Sequence, residues 1–383
     1  LRQPNRTLLE ANEAVQALLF KAQVEVNEVT GESDPVVRLI DFHNPENNQF
    51  HAINQFRIDT PGCVRGFIIP DIVLFVNGIP LAVVECKKGS ETCANPMQEA
   101  FVQLQRYMRK QADTELAGLK EGEPRLFHSS LLLIRSSGTH ADYGTLTSGE
   151  EHFYAWKTLH PQDDAGLQGM NAQQQLIAGL LDRHTLLQIL RTSAVFMDTD
   201  GGPRIKVMCR YQQFRAAHKI AQRLRTGATA MERSGVVWHT QGSGKSLTMV
   251  FLARMLRAST DLNDYKIILV NERTDLEDQL GNTATLIGGR VGHFRAILST
   301  INEVAVCARS TRARAGFDAQ TALHGAFGRR FCFLIGGLRP CSGQHPPTTA
   351  RFAVVVTWPQ PASARHGRPP IAQRTVRSRV QPL

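Results

Sequence analysis

The stretch PDIVLFVNGIPLAVVECKK, residues 70 to 88, has two apolar runs on either side of an Asn-Gly pair. Asn-Gly between apolar runs is a strong short-range signal of a β-hairpin. The first run begins beside Asp71, and the second ends in Glu85 and Lys87. The pattern therefore predicts a hairpin whose open end carries three charged side chains.

The register of this hairpin decides whether the charged side chains meet. A two-residue turn at the Asn-Gly pair places Asp71 opposite Val84, which puts Glu85 on the other face of the sheet. A three-residue loop, residues 76 to 78, puts Asp71, Glu85 and Lys87 on one face instead. Cross-strand and diagonal neighbours on one face lie within roughly 5 to 8 Å. We expect the second register, because it brings the three side chains together.

Two carboxylates on one face repel each other unless a cation lies between them. Hard oxygen ligands favour Mg²⁺, which makes Asp71 and Glu85 candidate metal ligands. Lys87 would then orient a water molecule or stabilise charge on a phosphodiester under attack. The plainer interpretation is that Asp71 caps a turn and that Glu85 and Lys87 lie at an exposed strand end. The motif Asp-x(13)-Glu-x-Lys is short enough to occur by chance.

Residues 97 to 110, MQEAFVQLQRYMRK, have the apolar spacing of an amphipathic helix. Gln103 and Tyr107 are four residues apart, so an amide and a phenol lie on one helical face. We expect both side chains to support the carboxylate site. An ordinary polar helix face remains the alternative for this pair taken alone.

A glycine-rich loop between a strand and a helix follows in GVVWHTQGSGKSLTMVFLARML, residues 235 to 256. Such a loop cradles nucleotide phosphates with backbone N–H groups, and the helix N-terminus behind it favours an anion. The candidate nucleotide-binding residues are Gly242, Ser243, Gly244, Lys245 and Ser246. His239 replaces the first glycine of the usual pattern, so the match is partial. No apolar strand ending in Asp-Glu follows this loop, so we expect little ATP hydrolysis.

The 383 residues suffice for two domains, with 42% hydrophobic residues and no window long and apolar enough to cross a membrane. The seven cysteines form no Cys-x-x-Cys pair, which predicts a reducing, cytoplasmic location. The pattern of elements predicts an α/β fold. We place a first domain at residues 1–160, a connector at 161–204 with one helix around residues 172–191, and a nucleotide-binding domain at 205–292 whose last helix is expected at residues 274–280.

The net charge of +10 comes from the end of the chain. From Thr285 onward there are 14 Arg, no Lys and two acidic residues, which leaves the preceding residues about neutral. Lysine disappears and helical or strand periodicity is lost over residues 293–383. A basic disordered tail is one interpretation. We favour translation in a shifted frame after about residue 292, because FCFLI and FAVVV fit a disordered tail poorly.

An Asp…Glu-x-Lys core with Gln-x-x-x-Tyr, followed by WHTQGSGKS, resembles the restriction (R) subunit of type I restriction-modification enzymes, HsdR. The resemblance runs from about residue 35 to residue 292. It includes NGIPLAVVECK, CRYQQFRAAHKI and VNERTDLEDQL. That family joins a PD-(D/E)xK nuclease to RecA-like superfamily 2 motor domains.

The resemblance implies roles for individual residues. Asp71, Glu85 and Lys87 would form the nuclease centre, supported by Gln103 and Tyr107. Gln213 would read the adenine of ATP, Gly242 to Ser246 would form motif I, and residues 273–276 would form motif Ia. The family uses ATP and Mg²⁺, cleaves double-stranded DNA and works with methylation (M) and specificity (S) subunits. Later motor motifs and a second motor domain are absent from this sequence.

Three functional hypotheses remain open. The chain is the nuclease-plus-motor subunit or its N-terminal part, or it is a truncated and catalytically silent product that retains ATP or DNA binding. It could also be an ordinary P-loop ATPase whose N-terminal block only binds partners. The co-occurrence of the five candidate nuclease residues in one block argues against the third hypothesis.

Overall fold

The computed structural model describes residues 6–23, 29–31, 36–63, 65–90, 93–108, 122–199, 201–237, 239, 243–262, 265–271, 286, 331–337 and 351–357. Its α-helices are α1 (Leu8–Phe20), α2 (Pro96–Tyr107), α3 (Ala172–Gln175), α4 (Arg183–Thr192), α5 (Tyr211–Thr226), α6 (Ala230–Arg233) and α7 (Lys245–Ala258). Within these ranges, no helix is long and apolar enough to cross a lipid bilayer.

The described strands fall into an N-terminal and a C-terminal group. The first are β1 (Ala22–Gln23), β2 (Val36–Val37), β3 (Phe50–Asn54), β4 (Ile58–Asp59), β5 (Phe67–Ile68), β6 (Ile72–Val76), β7 (Ile79–Cys86), β8 (Leu132–Ser137) and β9 (His140–Gly144). The second are β10 (Ala194–Asp198), β11 (Arg204–Met208), β12 (Gly235–Val237), β13 (Tyr265–Asn271), β14 (Phe331–Gly337) and β15 (Arg351–Thr357). Together they make the mixed α/β fold that the sequence predicts.

A five-stranded sheet in the order β3-β6-β7-β8-β9 forms the centre of the N-terminal part. Strands β6 and β7 form the hairpin, whereas β7 and β8 are parallel. Two parallel neighbours need a crossover connection, and α2 lies in it. This topology places α2 over the sheet next to the end of β7.

The hairpin turn is the two-residue alternative, so the expectation of a three-residue loop is wrong. Asn77 and Gly78 both have positive φ, at 51° and 76°, as a type I′ turn requires. The ladder then shifts by one residue between Phe75 and Leu74, which leaves Leu81 as the extra residue of a bulge. Pro80 lacks an N–H group, which suits a position where ladder bonding is interrupted.

The bulge changes which residues face each other. Beyond it Ile72 pairs with Val84, so the next residues along the two strands are Asp71 and Glu85. The expectation that a two-residue turn separates Asp71 from Glu85 is therefore wrong as well. One inserted residue moves every side chain beyond it to the opposite face of the sheet, because side chains along a strand alternate with a period of two.

The two faces of the five-stranded sheet pack against different parts of the chain. On one face Val73, Val83 and Leu133 pack against α2, including Leu104 and Tyr107. On the other face a cluster continues through the connector to α5 and α7. Its members include Ala82, Ile134, Tyr143, Trp156, Leu186, Phe214 and Phe251. The predicted domain boundaries near residues 160 and 205 stay a prediction, and one apolar core crosses both positions.

The connector differs from the single helix predicted near residues 172 to 191. Helix α3 passes into a π-helical turn, Leu176–Leu180, and α4 begins after Asp182. The side chain of Asp182 accepts a hydrogen bond from the backbone N–H of Thr185 at 3.0 Å. A capping aspartate starts a new helix because it satisfies an N–H group that has no partner within the helix.

A four-stranded sheet, in the order β12-β14-β15-β13, belongs to the C-terminal part. Strands β14 and β15 lie in the region for which the sequence predicts a poorly ordered tail. They include the apolar pieces FCFLI and FAVVV, and β15 pairs with β13 in parallel. The other residues of 293–383, and the predicted helix at 274–280, lie outside the described residues.

Lys206 on β11 is buried at the junction of three elements. Its ammonium donates hydrogen bonds to Asn12 Oδ1 of α1 at 2.8 Å and to the carbonyl oxygen of Ser130 at 2.9 Å. Asn12 in turn donates to the carbonyls of Phe127 and Ser130. The burial disfavours the charged form and lowers the pKa of Lys206 to about 7.

This buried lysine predicts a pH dependence of stability. Because the pKa of Lys206 is lower in the folded than in the unfolded chain, the unfolded chain binds more protons between pH 7 and about 10.4. Ionisation of Lys206 should therefore make the free energy of unfolding rise with pH across that window. Below pH 7 this group should have no effect on stability. Urea unfolding midpoints at several pH values should show the rise in the parent chain. The Lys206→Met variant should lack it, and an equal rise in the variant would contradict the assignment.

Candidate active site

The carboxylate of Asp71 is held on both of its oxygen atoms. Its Oδ2 accepts a hydrogen bond from the backbone N–H of Cys86 at 2.8 Å, across the open end of the hairpin. Its Oδ1 accepts from the side-chain amide of Gln55 at 3.0 Å. Gln55 has a positive φ of 50°, an unfavourable backbone conformation for a residue other than glycine. Sequence reasoning missed Gln55, since only the pairing of β3 with β6 brings it here.

Glu85 lies at the end of β7 and is 2% exposed. Its Oε1 contacts the ammonium of Lys87 at 2.5 Å, whereas its Oε2 is buried without a hydrogen-bond partner among the described residues. Burial raises the pKa of Glu85 to about 7, and the charge of Asp71 adds to this while Lys87 opposes it. The structure thus brings the three predicted side chains together at one end of the hairpin.

Helix α2 brings Gln103 and Tyr107 towards the same end. The Tyr107 hydroxyl donates to the carbonyl oxygen of Ile69 at 3.0 Å. Burial raises the pKa of Tyr107, the charge of Glu85 raises it further, and a hydrogen bond with Gln103 opposes this. All five predicted nuclease residues therefore interact directly or electrostatically within one cluster.

The donor set of this cluster suits a hard divalent cation. Glu85 Oε2 is a buried carboxylate oxygen without a hydrogen-bond partner among the described residues, and Asp71 lies beside it. Magnesium is commonly held by one or two carboxylates, with water and substrate phosphate completing the coordination. Within the described ranges no group of three or more His, Cys, Asp or Glu side chains could form an all-protein cage. The cluster fits Mg²⁺ better than a metal such as Zn²⁺, which needs several nitrogen or sulfur ligands.

The glycine-rich loop leads into α7, as its sequence predicts. Gly244 is the N-cap of α7 and has a positive φ of 72°, and Lys245 is the first helical residue. The positive φ favours glycine at this position, and a Cβ atom there would lie 2.5 Å from the Gln213 amide nitrogen and displace that side chain. Ser243, Lys245 and Ser246 are described, and Gly242 lies outside the described residues.

Gln213 on α5 binds the glycine-rich loop itself. Its Nε2 donates to the carbonyl oxygens of Ser243 at 3.0 Å and Gly244 at 2.9 Å. Its Oε1 accepts from the backbone N–H of Arg210 at 2.8 Å. Both amide N–H groups are therefore used in this conformation. The contacts assign Gln213 a loop-positioning role, and its predicted contact with adenine stays a prediction.

Comparison with known protein families divides the chain into two parts. One contains the cluster around Asp71 and Glu85, and the other contains the glycine-rich loop. Residues 1–152 match the family model described as type I restriction enzyme R protein N terminus. An endonuclease subunit of the type I restriction enzyme HindI, from Haemophilus influenzae, is 35% identical over 65% of this chain. The N-terminal part of the chain therefore belongs to the type I restriction enzyme R protein family. Residues 212–302, which include the glycine-rich loop, match the SWI2/SNF2 ATPase family model.

Other relatives in the R protein family are more distant. A putative MjaIXP endonuclease subunit from Methanocaldococcus jannaschii is 27% identical over 70% of this chain. The SauMSSORF170P endonuclease subunit from Staphylococcus aureus is 27% identical over 65% of it. These three matches cover 22%, 26% and 23% of the relatives, so the chain spans about a quarter of their length.

Several residues that join the two halves of the chain were missed by sequence reasoning. The buried Tyr143 hydroxyl donates to the carbonyl oxygen of Cys209 at 2.8 Å, and Arg210 donates to the Tyr154 hydroxyl at 2.6 Å. The Arg210 guanidinium also lies 4.0 Å from the centre of the Tyr154 ring. These contacts hold the start of α5, and hence Gln213, against β9. The predicted motif Ia, residues 273–276, lies outside the described residues.

Proposed function

We propose that this chain carries the Mg²⁺-dependent endonuclease centre and the ATP-binding loop of a type I restriction R subunit. The observation that carries the proposal is the convergence of Asp71, Glu85 and Lys87 at the end of one hairpin. Membership of the R protein family supports a restriction endonuclease. The substrate would be double-stranded DNA, whose phosphodiester bonds suit this combination of carboxylates and an ammonium.

The residues of the PD-(D/E)xK cluster have separable roles in this proposal. Asp71 and Glu85 would hold Mg²⁺, which when bound polarises the phosphodiester and lowers the pKa of a water molecule. Gln55 and the Cys86 N–H group keep the Asp71 carboxylate in place. Lys87 would stabilise the developing negative charge or orient the attacking water. Tyr107 and Gln103 would support the cluster from α2, where the Tyr107 hydroxyl binds the carbonyl oxygen of Ile69.

The second half would bind ATP in a RecA-like arrangement typical of superfamily 2 helicases. Backbone N–H groups near Gly244 and the N-terminus of α7 would receive the phosphates, and Lys245 would contact the β and γ oxygens. Ser246 would bind Mg²⁺ of the nucleotide. Coupling to DNA translocation and assembly with the M and S subunits belong to the proposed function of the whole R subunit.

ATP binding provides a test of this half that is independent of DNA cleavage. Lys245→Ala should weaken ATP binding at least tenfold, on the order of 1.4 kcal/mol, because the phosphates lose their charge partner. Equilibrium binding of a fluorescent ATP analogue would measure it. Lys219→Ala, which removes an exposed lysine from α5, is the matched control and should bind as the parent does. Equal binding by the Lys245→Ala variant would exclude Lys245 from the site.

The nuclease half is tested by incubating supercoiled duplex DNA with the purified chain and Mg²⁺. Nicking that requires Mg²⁺ and is lost on chelation supports the proposal. Retained ATP binding without any nicking, with or without ATP, would favour the alternative of a catalytically silent ATP-binding product.

A further inference from the structure

A cavity of about 250 Å³ shares no lining residue with either candidate site. It lies where the loop of residues 42–45 meets one side of α4 and the C-terminal ends of α5 and α7. Its walls include Phe42, His43, His184, Gln188, Arg191 and Arg225. Pockets for drug-sized ligands usually measure about 300–1,000 Å³. This cavity is therefore suited to a small group rather than to a whole nucleotide.

The lining of the cavity includes two arginines and one aspartate, and the carboxylates of Asp41 and Glu46 belong to the loop beside it. Its one acidic lining residue, Asp261, is bound by the Arg225 guanidinium at 2.6 and 3.1 Å, so this pair contributes little net charge. Arg191 is half-buried, and its guanidinium makes no hydrogen bond or ion pair with the described residues. The guanidinium carbon of Arg191 lies 6.0 Å from the centre of the Phe42 ring. A charge removed from water without a counter-ion is costly, and an anion beside it relieves that cost.

The partial burial of Arg191 also affects its ionisation. Burial alone lowers the pKa of Arg191, since no carboxylate lies close enough to raise it. The backbone of the loop opposite is hydrogen-bonded locally, because the carboxylate of Asp41 accepts hydrogen bonds from the backbone N–H groups of His43 and Asn44 at 3.0 Å each.

We propose that this cavity binds a single phosphate group, with Arg191 as its charge partner. The planar guanidinium presents paired N–H donors that match phosphate oxygens. Gln188 on the same helix and His43 on the loop offer further donors. His184 also lies on this helix, and its Nε2 atom is 3.4 Å from a Glu46 carboxylate oxygen. A tetrahedral oxyanion can accept hydrogen bonds from several directions at once, which a planar carboxylate does less well. The phosphate is either free phosphate or one phosphodiester of a DNA backbone.

The test removes the competing phosphate site first. In the full chain carrying Lys245→Ala, isothermal titration with inorganic phosphate should detect binding that Arg191→Met weakens at least tenfold. Arg183→Met is the matched control, because Arg183 lies on the same helix but is exposed and paired with Glu46 at 3.4 Å. It should bind phosphate as the Lys245→Ala chain does. Equal binding by the Arg191→Met and Arg183→Met chains would overturn the proposal.

Two further measurements separate the sources and guard against misfolding. If a short DNA duplex displaces phosphate from the parent but not from the Arg191→Met chain, the natural ligand is a backbone phosphodiester. If the duplex displaces nothing while phosphate binds, free phosphate is the ligand. Arg191→Lys keeps the charge without the guanidinium fork and should bind more weakly than the parent. Unchanged phosphate binding by the Arg191→Lys chain would overturn the proposal that the guanidinium binds the phosphate, even if Arg191→Met failed to fold.

Discussion

Replacing Glu85 with alanine should abolish Mg²⁺-dependent nicking of duplex DNA, with a rate loss of at least about 100-fold. The substitution removes Oε2, the buried carboxylate oxygen that has no hydrogen-bond partner among the described residues, and leaves Lys87 without its contact. Asp71 alone would then bind the cation weakly. Glu85→Gln, which keeps the shape and loses the charge, should be nearly as inactive. Conversion of supercoiled to open-circular plasmid over time measures the rate.

Cys86→Ser is the matched control for this experiment. Cys86 follows Glu85 directly and its side chain is exposed. Its contribution to the site is its backbone N–H group, which binds Asp71 at 2.8 Å and survives the substitution. Cys86→Ser should therefore nick at the parent rate. Parent-like nicking by Glu85→Ala would remove Glu85 from the active site and with it the proposed metal site.

Trp156→Ala should lower the free energy of unfolding by about 3–5 kcal/mol, the range for truncation of a buried large aromatic residue. Trp156 is fully buried, and its Nε1 donates to the carbonyl oxygen of Thr158 at 2.8 Å. Its ring packs against Tyr143 at 5.8 Å and Phe214 at 5.4 Å between ring centres. Since domains are stable by roughly 5–15 kcal/mol, this loss is a large fraction of the total.

The position of Trp156 gives this prediction a second readout. Tyr143 lies on the five-stranded sheet, and Phe214 follows Gln213 on α5, so loss of the ring should weaken the proposed ATP binding as well as stability. Urea unfolding followed by far-UV circular dichroism measures the first effect. Ile177→Ala, at a position 56% exposed, is the control and should stay within about 0.5 kcal/mol of the parent. A shift below about 1 kcal/mol for Trp156→Ala would show that this part of the core repacks without the ring.

Local chemistry explains which elements could be predicted from sequence. Helices α2 and α7 lie close to their predicted ranges, because α2 has an apolar stripe and α7 follows a glycine turn. The Asn77-Gly78 turn follows from the tolerance of both residues for positive φ. Each of these features depends on residues that are neighbours in the chain, so a single sequence is enough to predict them.

Tertiary structure alone decided how the active-site cluster forms. The sequence predicted that Asp71, Glu85 and Lys87 share a face, but through a three-residue loop that the structure does not contain. The bulge at Leu81 supplies the one-residue shift that brings Asp71 opposite Glu85. This bulge depends on contacts that Leu81 and its neighbour Pro80 make with a segment far along the chain. The carbonyl of Leu81 accepts from the Leu131 N–H at 2.7 Å, and the carbonyl of Pro80 accepts from the Ser129 hydroxyl at 2.7 Å.

The sequence by itself determined the local elements, the candidate residues and the resemblance to type I restriction R subunits. Only the tertiary structure decided that Gln55 holds Asp71, that Gln213 holds the glycine-rich loop, and that Lys206 ties α1 to β11. The physical reason is the range of the interactions. Turns and caps are fixed by residues a few positions apart, whereas a hydrogen bond such as that between Lys206 and Asn12 joins positions 194 residues apart. Such pairs become neighbours only when the apolar faces of the sheet and helices have packed.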